Sequence, residues 1–306
     1  MVWYSRSCHP IIRDALCFTG VGRLMLLPCP ACAERTEHRH LFSKNECDIF
    51  QCEACGLARA EVSNFDPRRY YTSDYFSGAH PDGYADYRSA EPILRREFAH
   101  TVGLVRRLRA TGRLLEIGCA YGFFLEEARP FYDVAGMEIA EDAADFCRQR
   151  GLNVLTGEVD ESSLARLGPM DVIMLLDVIE HLPDPQETLS LCRSHLNPGG
   201  IVVITTGDFA SLYARLSGPH WRLMTPPQHL WYFTPESMRR LSRSLGLRLE
   251  VCDHPWKLVP LSLITFQIRR MFGRGRGRPG AGRGGHVGIP VNIFDAMRCV
   301  LRKPGA

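Results

Sequence analysis

The stretch Leu114–Ala128, LLEIGCAYGFFLEEA, reads as an apolar strand running through a turn of small residues into a helix. It sets the fold class because the same alternation repeats down the chain. Apolar strands are expected at Arg113–Ile117, Tyr132–Glu138, near Asn153–Leu155, at Met170–Leu176 and at Gly199–Thr206. Helical spacing falls before and between them, over Glu91–Leu108, up to about Arg129, over Glu141–Arg150 and over Pro185–Leu196. Apolar strands separated by amphipathic helices call for an α/β protein with a parallel sheet covered on both faces. Such sheets hold ligands at the carboxyl ends of their central strands, where the strand order reverses.

The first turn selects the ligand. A dinucleotide loop reads G-x-G-x-x-G, its last glycine allowing the helix to approach the strand. Here the small residues are Gly118, Ala120 and Gly122, and Phe123 stands at the last position and would obstruct that approach. Glu116 precedes the first glycine. A carboxylate there repels a pyrophosphate but suits a nucleoside carrying an ammonium and a sulfonium, so NAD is disfavoured. Glu138 ends the second strand twenty residues after Gly118, with Ile139 beside it, where an acid can accept hydrogen bonds from both ribose hydroxyls. Glu158 and Val159, in TGEVDE after the third strand, fall where an adenine edge would lie, and Asp177 closes the fourth.

The segments EIGCAYG, GMEIAEDAADFCRQRG, DVIMLLDVIEHLPDP and LNPGGIVVITT together resemble the class I S-adenosylmethionine-dependent methyltransferases over roughly residues 90–302. The resemblance implies a Rossmann-like sheet of seven strands, the last antiparallel, with LRLEVCDH as the sixth strand and DAMRCVLRK as the seventh. It also implies S-adenosylmethionine as the methyl donor. Ala120 stands where the family most often has glycine, and alanine is small enough to be tolerated.

Ahead of this domain stand two C-x-x-C pairs, Cys29 with Cys32 and Cys52 with Cys55. Each pair makes a tight turn presenting two thiolates, and two such turns complete a tetrahedron, so a structural zinc ribbon over residues 27–60 is expected. Disulfides or a redox pair are the alternatives. LFSKNECDIFQC between the pairs has the alternation of a strand. The ribbon looks like the N-terminal zinc modules of some sugar-modifying methyltransferases. Residues 1–26 are expected to form a disordered leader or to precede the true start, and 61–89, rich in Tyr, Asp, Gly and Pro, to connect ribbon and core.

Methyl transfer from a sulfonium needs alignment more than a protein nucleophile. SGPHWRLMTPPQHLWYFTPESM follows the fifth strand, and in it His229 and then His220 are the candidate bases, with Trp221 and Tyr232 lining an acceptor pocket. His229 could equally pack this Pro-rich loop. Asp177, Glu180 and His181 form D-x-x-E-H, which resembles the E-x-x-E-H metal site of ubiquinone-pathway and small-RNA 2′-O-methyltransferases. The resemblance implies either Mg²⁺, with His181 in the catalytic set, or a motif that only shapes the turn; the shorter Asp177 favours the turn.

With 306 residues, 45% hydrophobic and a net charge of +3, the chain offers no basic surface of the kind nucleic acid demands. No apolar run is long enough to span a bilayer. The expectation is a cytoplasmic enzyme, and the resemblance implies that it O-methylates a small molecule or a sugar in bacterial secondary or surface-polysaccharide metabolism. An RNA methyltransferase and a non-catalytic cofactor scaffold are the alternatives. WKLVPLSLITFQIRRM, Trp256–Met271, is expected to cover the pocket within an insertion over 255–290, and GRGRGRPGAGRGG, Gly273–Gly285, to be a solvated linker.

Overall fold

The computed structural model describes residues 24–62, 66, 70, 87–88, 90–260 and 288–305. Most of the expected leader and connecting segment, and all of the Arg-Gly segment, lie outside the described residues. The part of the leader that is described, from Leu24, already belongs to a strand.

The front of the chain is an antiparallel meander of β1 (Leu24–Cys29), β2 (Glu34–Lys44), β3 (Cys47–Cys52) and β4 (Ala58–Glu61). The stretch expected as one strand between the cysteine pairs is instead a hairpin. Asn45 and Glu46 turn it with φ of 49° and 62°, left-handed values that match the twist of the flanking strands.

The core follows: α1 (Glu91–Leu108), β5 (Arg113–Ile117), α2 (Phe123–Ala128), β6 (Asp133–Glu138), α3 (Glu141–Gln149), β7 (Asn153–Thr156), α4 (Glu161–Leu167) and β8 (Met170–Leu176). Then come α5 (Pro185–His195), β9 (Leu196–Gly207), α6 (Leu212–Ser217), β10 (Trp231–Tyr232), α7 (Pro235–Ser244), β11 (Arg248–Asp253), β12 (Lys257–Pro260), β13 (Gly288–Val291) and β14 (Ala296–Arg302). The seven-stranded sheet runs β11-β14-β9-β8-β5-β6-β7. β5 to β9 are parallel, and β14 is antiparallel to both of its neighbours. Strand order reverses between β5 and β8, which puts the Gly118 turn against Val178.

The period of two divides the apolar residues cleanly. Leu115, Ile117, Ile173, Leu175, Val202 and Ile204 pack on one face against α4, α5 and α7. Leu114, Val172, Met174, Ile201 and Val203 pack on the other against α1, α2 and α3. Each such side chain, fully buried, contributes about 1.5–3 kcal/mol. Beyond β11 the insertion turns back as the β12–β13 hairpin and rests on α1, where Leu258 N donates to Glu97 Oε2 at 3.1 Å. The described start of WKLVPLSLITFQIRRM is thus a strand; residues 261–287 lie outside the described residues. No helix among the described residues is long and apolar enough to cross a membrane.

At the opposite edge of the sheet, Asp171 ties β8 to its neighbours. It accepts from Arg113 N at 2.9 Å, Arg109 Nη2 at 2.5 Å and Asn197 Nδ2 at 3.1 Å. Burial acts to raise its pKa, but these donors outweigh it and the carboxyl sits below its ordinary value. A Cβ at Gly112, where φ is +132°, would lie 2.3 Å from the Asp171 carboxylate, so the turn into β5 requires glycine. Asp171→Ala should strand these donors and lower unfolding free energy by about 2–4 kcal/mol in urea titration. A loss below about 0.5 kcal/mol would rule out this anchoring role.

Candidate active site

At the carboxyl edge, the turn after β5 is built for close approach. Gly118 and Cys119 both donate backbone N–H to Met137 O, at 2.8 and 3.1 Å. Gly118 has φ of +72°, and a Cβ there would lie 2.6 Å from Val178 Cγ2. Ala120 adopts φ of 45°, a left-handed value that glycine takes at less cost. Gly122 caps α2, and a Cβ on it would meet Leu152 at 2.6 Å and Cys147 at 2.9 Å. Gly122, not the position of Phe123, is therefore where the helix needs a bare backbone.

Two buried acids frame this turn. Glu138 accepts from Ala120 N at 2.7 Å and Ala140 N at 2.9 Å, which pins the turn to the end of β6. Glu116 is 3% exposed, and its Oε2 has no hydrogen-bond partner. Burial, with Cys147 and Glu138 nearby, pushes its pKa well up. A buried carboxyl whose Oε2 has no hydrogen-bond partner, beside a glycine turn, fits a ligand that brings an ammonium. Ile139 is half-buried beside Glu138, Glu158 is exposed and Val159 half-buried in the loop after β7.

The second half of the site follows β8. Asp177, in a left-handed conformation with φ of 55°, does not face the cofactor turn as a lone acid. Its Oδ1 accepts from Thr205 Oγ1 at 2.8 Å, and its Oδ2 lies 2.9 Å from Lys257 Nζ. Burial would raise this carboxyl, but Lys257 and Thr205 outweigh it and hold the pKa at about 2. Glu180, three residues after Asp177 on the short 3₁₀ turn Ile179–His181, is 4% exposed and its Oε2 has no hydrogen-bond partner. Burial first and the Asp177 charge second raise its pKa to about 8.

His181 and His229 meet edge to face with centroids 4.7 Å apart. His181 Nδ1 lies 2.8 Å from Gln228 O and His229 Nδ1 2.7 Å from Leu223 O. A carbonyl only accepts, so each ring holds a proton on Nδ1, and His229 keeps its lone pair on Nε2. One ligand atom from each of Glu180, His181 and His229 lies within 4.8 Å of the other two, so these residues could hold a metal ion. Burial, and then His181, lower the pKa of His229 to about 3; burial lowers that of His181. The D-x-x-E-H reading therefore needs correction: Asp177 is engaged by Lys257, and the cluster is completed by His229 from the loop after β9.

Of the other expected acceptor residues, Tyr232 adjoins His229, with ring centroids 6.3 Å apart, whereas His220 and Trp221 do not join the cluster. His220 is exposed on the short 3₁₀ turn Gly218–His220. Trp221 is 2% exposed; its Nε1 donates to Asp295 Oδ2 at 3.0 Å, and Arg222 clasps the same carboxylate with two contacts of 2.8 Å. Tyr232 is buried too, its hydroxyl donating to His229 O at 3.1 Å. Both rings pack with Ile49, Ala58 and Ala60 of the front sheet and so join two layers of the protein instead of lining a pocket. Sequence reasoning missed Thr205 and Lys257, because nothing in strand or helix periodicity marks a lysine that reaches the site from an inserted hairpin.

The four cysteines do converge. Cys29 Sγ lies 3.6 Å from Cys55 Sγ, Cys32 Sγ lies 3.9 Å from Cys52 Sγ, and all four sulfurs lie within 4.8 Å of one another. A tetrahedron with metal–sulfur bonds of about 2.3 Å has edges of about 3.8 Å, so the four could hold zinc. Thr36 Oγ1, 3.1 Å from Cys52 Sγ, and Arg240 Nη1, 3.9 Å from Cys32 Sγ, supply further contacts to the thiols. This sheet is continuous with the acceptor loop. β10 pairs with β4, Ala60 N donates to Leu230 O at 2.9 Å, and Leu230 N donates to Glu180 O at 2.8 Å.

Among similar proteins are the ubiquinone biosynthesis O-methyltransferases of Methylococcus capsulatus and Cereibacter sphaeroides. The first is 29% identical over 184 residues, 55% of this chain and 75% of the relative. The second is 33% identical over 147 residues, 44% of this chain and 60% of the relative. Solved structures similar to the chain include an S-adenosylmethionine-dependent methyltransferase from Archaeoglobus fulgidus, at 21% identity and a TM-score of 0.46, covering 68% of this chain and 94% of that one. Magnesium protoporphyrin IX methyltransferase from Synechocystis PCC 6803 matches at 14% identity and a TM-score of 0.49, covering 77% and 97%. A family defined by its methyltransferase domain matches residues 85–250, more than half of the sequence. By that match, and with a seven-stranded sheet whose β5 turn and acids lie at the switch point, the chain belongs to the class I S-adenosylmethionine-dependent methyltransferases.

Proposed function

We propose that this enzyme O-methylates a small hydroxylated acceptor, a phenol or a sugar, using S-adenosylmethionine and a divalent cation held by Glu180, His181 and His229. The observation that carries the reading is the buried cluster itself: a carboxylate oxygen without a hydrogen-bond partner beside two imidazoles whose Nδ1 protons are fixed by carbonyls. The names of the O-methyltransferase relatives support the same acceptor atom. Bound there, a divalent cation would act as a Lewis acid that lowers the pKa of the acceptor hydroxyl. Two nitrogens and one oxygen suit Zn²⁺, Mn²⁺ or Fe²⁺ better than the all-oxygen shell that Mg²⁺ prefers.

The reaction is an in-line displacement. An acceptor oxygen attacks the methyl carbon, the sulfonium leaves as a neutral thioether, and the acceptor gives up a proton. The chain supplies position and field. The Gly118 turn receives the donor's backbone-facing side, Glu116 receives its ammonium, and Glu138 fixes the turn and reaches the ribose. Neither imidazole is suited to take the proton itself: a buried His229 with a pKa of about 3 is a weak base at neutral pH. A neutral imidazole is, however, what a metal ligand must be. The four front cysteines would hold structural zinc with no open coordination position, which assigns them to scaffolding and not to chemistry.

Three outcomes test this reading. Glu138→Gln places an amide where one backbone N–H must be accepted, and should weaken S-adenosylmethionine binding at least about tenfold by calorimetry; unchanged affinity would remove the cofactor from this turn. In a transfer assay with methyl-labelled S-adenosylmethionine against catechols and reducing sugars, label should arrive on oxygen. His229→Ala should cut turnover about a hundredfold or more while cofactor affinity stays the same. Wild-type turnover by His229→Ala, or label on carbon or nitrogen, would refute the proposal.

A further inference from the structure

Lys257 enters the site from the β12–β13 hairpin, a two-stranded sheet separate from the seven-stranded one. Leu258 N on Glu97 Oε2, at 3.1 Å, fixes the hairpin to α1 and sets the lysine beside Asp177. Lys257 faces Asp177 and Glu97, with Glu180 within electrostatic reach and Arg222 as the nearby like charge. Asp177 stands three residues before Glu180 at the end of β8, and both of its oxygens are committed, one to Thr205 and one to Lys257. The hydroxyl of Thr205 is a neutral donor, whereas the ammonium is a full charge, and it is the charge that decides whether the carboxylate competes for a cation.

We propose that Lys257 is a positioning residue that holds Asp177 out of the Glu180–His181–His229 cluster, so that a divalent cation is bound by three protein ligands instead of four. The inference rests on the metal reading given above. A three-ligand cation is held less tightly, but it keeps coordination positions for an acceptor oxygen, the arrangement that separates catalytic from structural sites. Lys257 would then trade metal affinity for room to bind the acceptor. Because the first position of D-x-x-E-H is the acid Asp177, that role needs a counter-charge from outside the motif, and the inserted hairpin supplies one.

The test uses Mn²⁺ alone as the probe, on the full chain, with bound and free ion distinguished by electron paramagnetic resonance. Mn²⁺ is a poor match for the four thiolates, so uptake reports the nitrogen–oxygen cluster. Wild type should bind one Mn²⁺, and Lys257→Met should bind it about tenfold more tightly as Asp177 is released. Asp177→Asn, which leaves the ammonium without its counter-charge, should bind several-fold more weakly. The double variant Lys257→Met/Asp177→Asn should return close to wild type, because the two charges are removed together. This pattern is one that a merely structural lysine would not produce, since loss of packing gives no gain in affinity. Equal affinity in wild type and Lys257→Met, with Mn²⁺ bound by both and lost in His229→Ala, would overturn the role of Lys257 and leave the cluster standing. No Mn²⁺ uptake by any of these proteins would overturn the cluster and this role with it.

Discussion

Leu230 makes the two hydrogen bonds on which the acceptor side depends. Its carbonyl accepts from Ala60 of the front sheet and its amide donates to the Glu180 carbonyl, so one residue links the cysteine module to the turn after β8. Each bond is worth only about 1 kcal/mol net, but their consequence is geometric. His229 precedes Leu230, and the loop carrying it has no strand of its own except β10, which exists as a fifth strand of the front sheet. Thr234 Oγ1 on Cys55 O at 3.2 Å and Trp231 Nε1 on Leu182 O at 2.9 Å close the same seam. The front module therefore acts as a brace for the acceptor loop, and its cysteines share one apolar cluster with Leu230, Trp231 and Phe233.

This explains why so small a module is retained on a domain that already has its own core. With an ion at the four cysteines, as proposed above, such a sheet would be rigid without needing much apolar area, because bonds to the ion would replace the core that a short segment cannot build. Rigidity at residues 229–234 matters because the candidate metal cluster draws His229 from this loop and Glu180 and His181 from the β8 edge. Displacement of a ligand by even one ångström is costly to a site whose function is alignment. On the other side of the switch point the same logic takes another form, with Glu138 accepting from the backbone amides of Ala120 and Ala140 while the Oε2 of buried Glu116 has no hydrogen-bond partner.

The sequence made the central sheet legible almost strand by strand, since runs such as Met170–Leu176 and Asp133–Glu138 are buried on both faces and carry their signal locally. The glycine turn after β5 and the convergence of the four cysteines could also be expected from the chain, because each C-x-x-C pair and the small-residue run mark a tight turn locally. What escaped was set by contacts between distant segments. A two-residue strand at Trp231–Tyr232 has no periodicity to read, and only its pairing with β4 makes it a strand. Trp221 and Tyr232 looked like pocket walls because aromatic, Pro-rich loops often are; here they are the apolar side of the brace. Lys257 lies 80 residues from its partner Asp177, and no local pattern joins them.

The brace is tested most directly by hydrogen–deuterium exchange of the amides of Ala60 and Leu230, comparing the metal-loaded protein with Cys29→Ser. If the four-cysteine centre holds the acceptor loop, both amides should lose protection together in the variant, along with residues 229–234, while the amides of β5 and β8 keep theirs. Unchanged protection at Leu230 after loss of the cysteine centre would contradict the account, because the loop that carries His229 would then hold its place without the module in front of it.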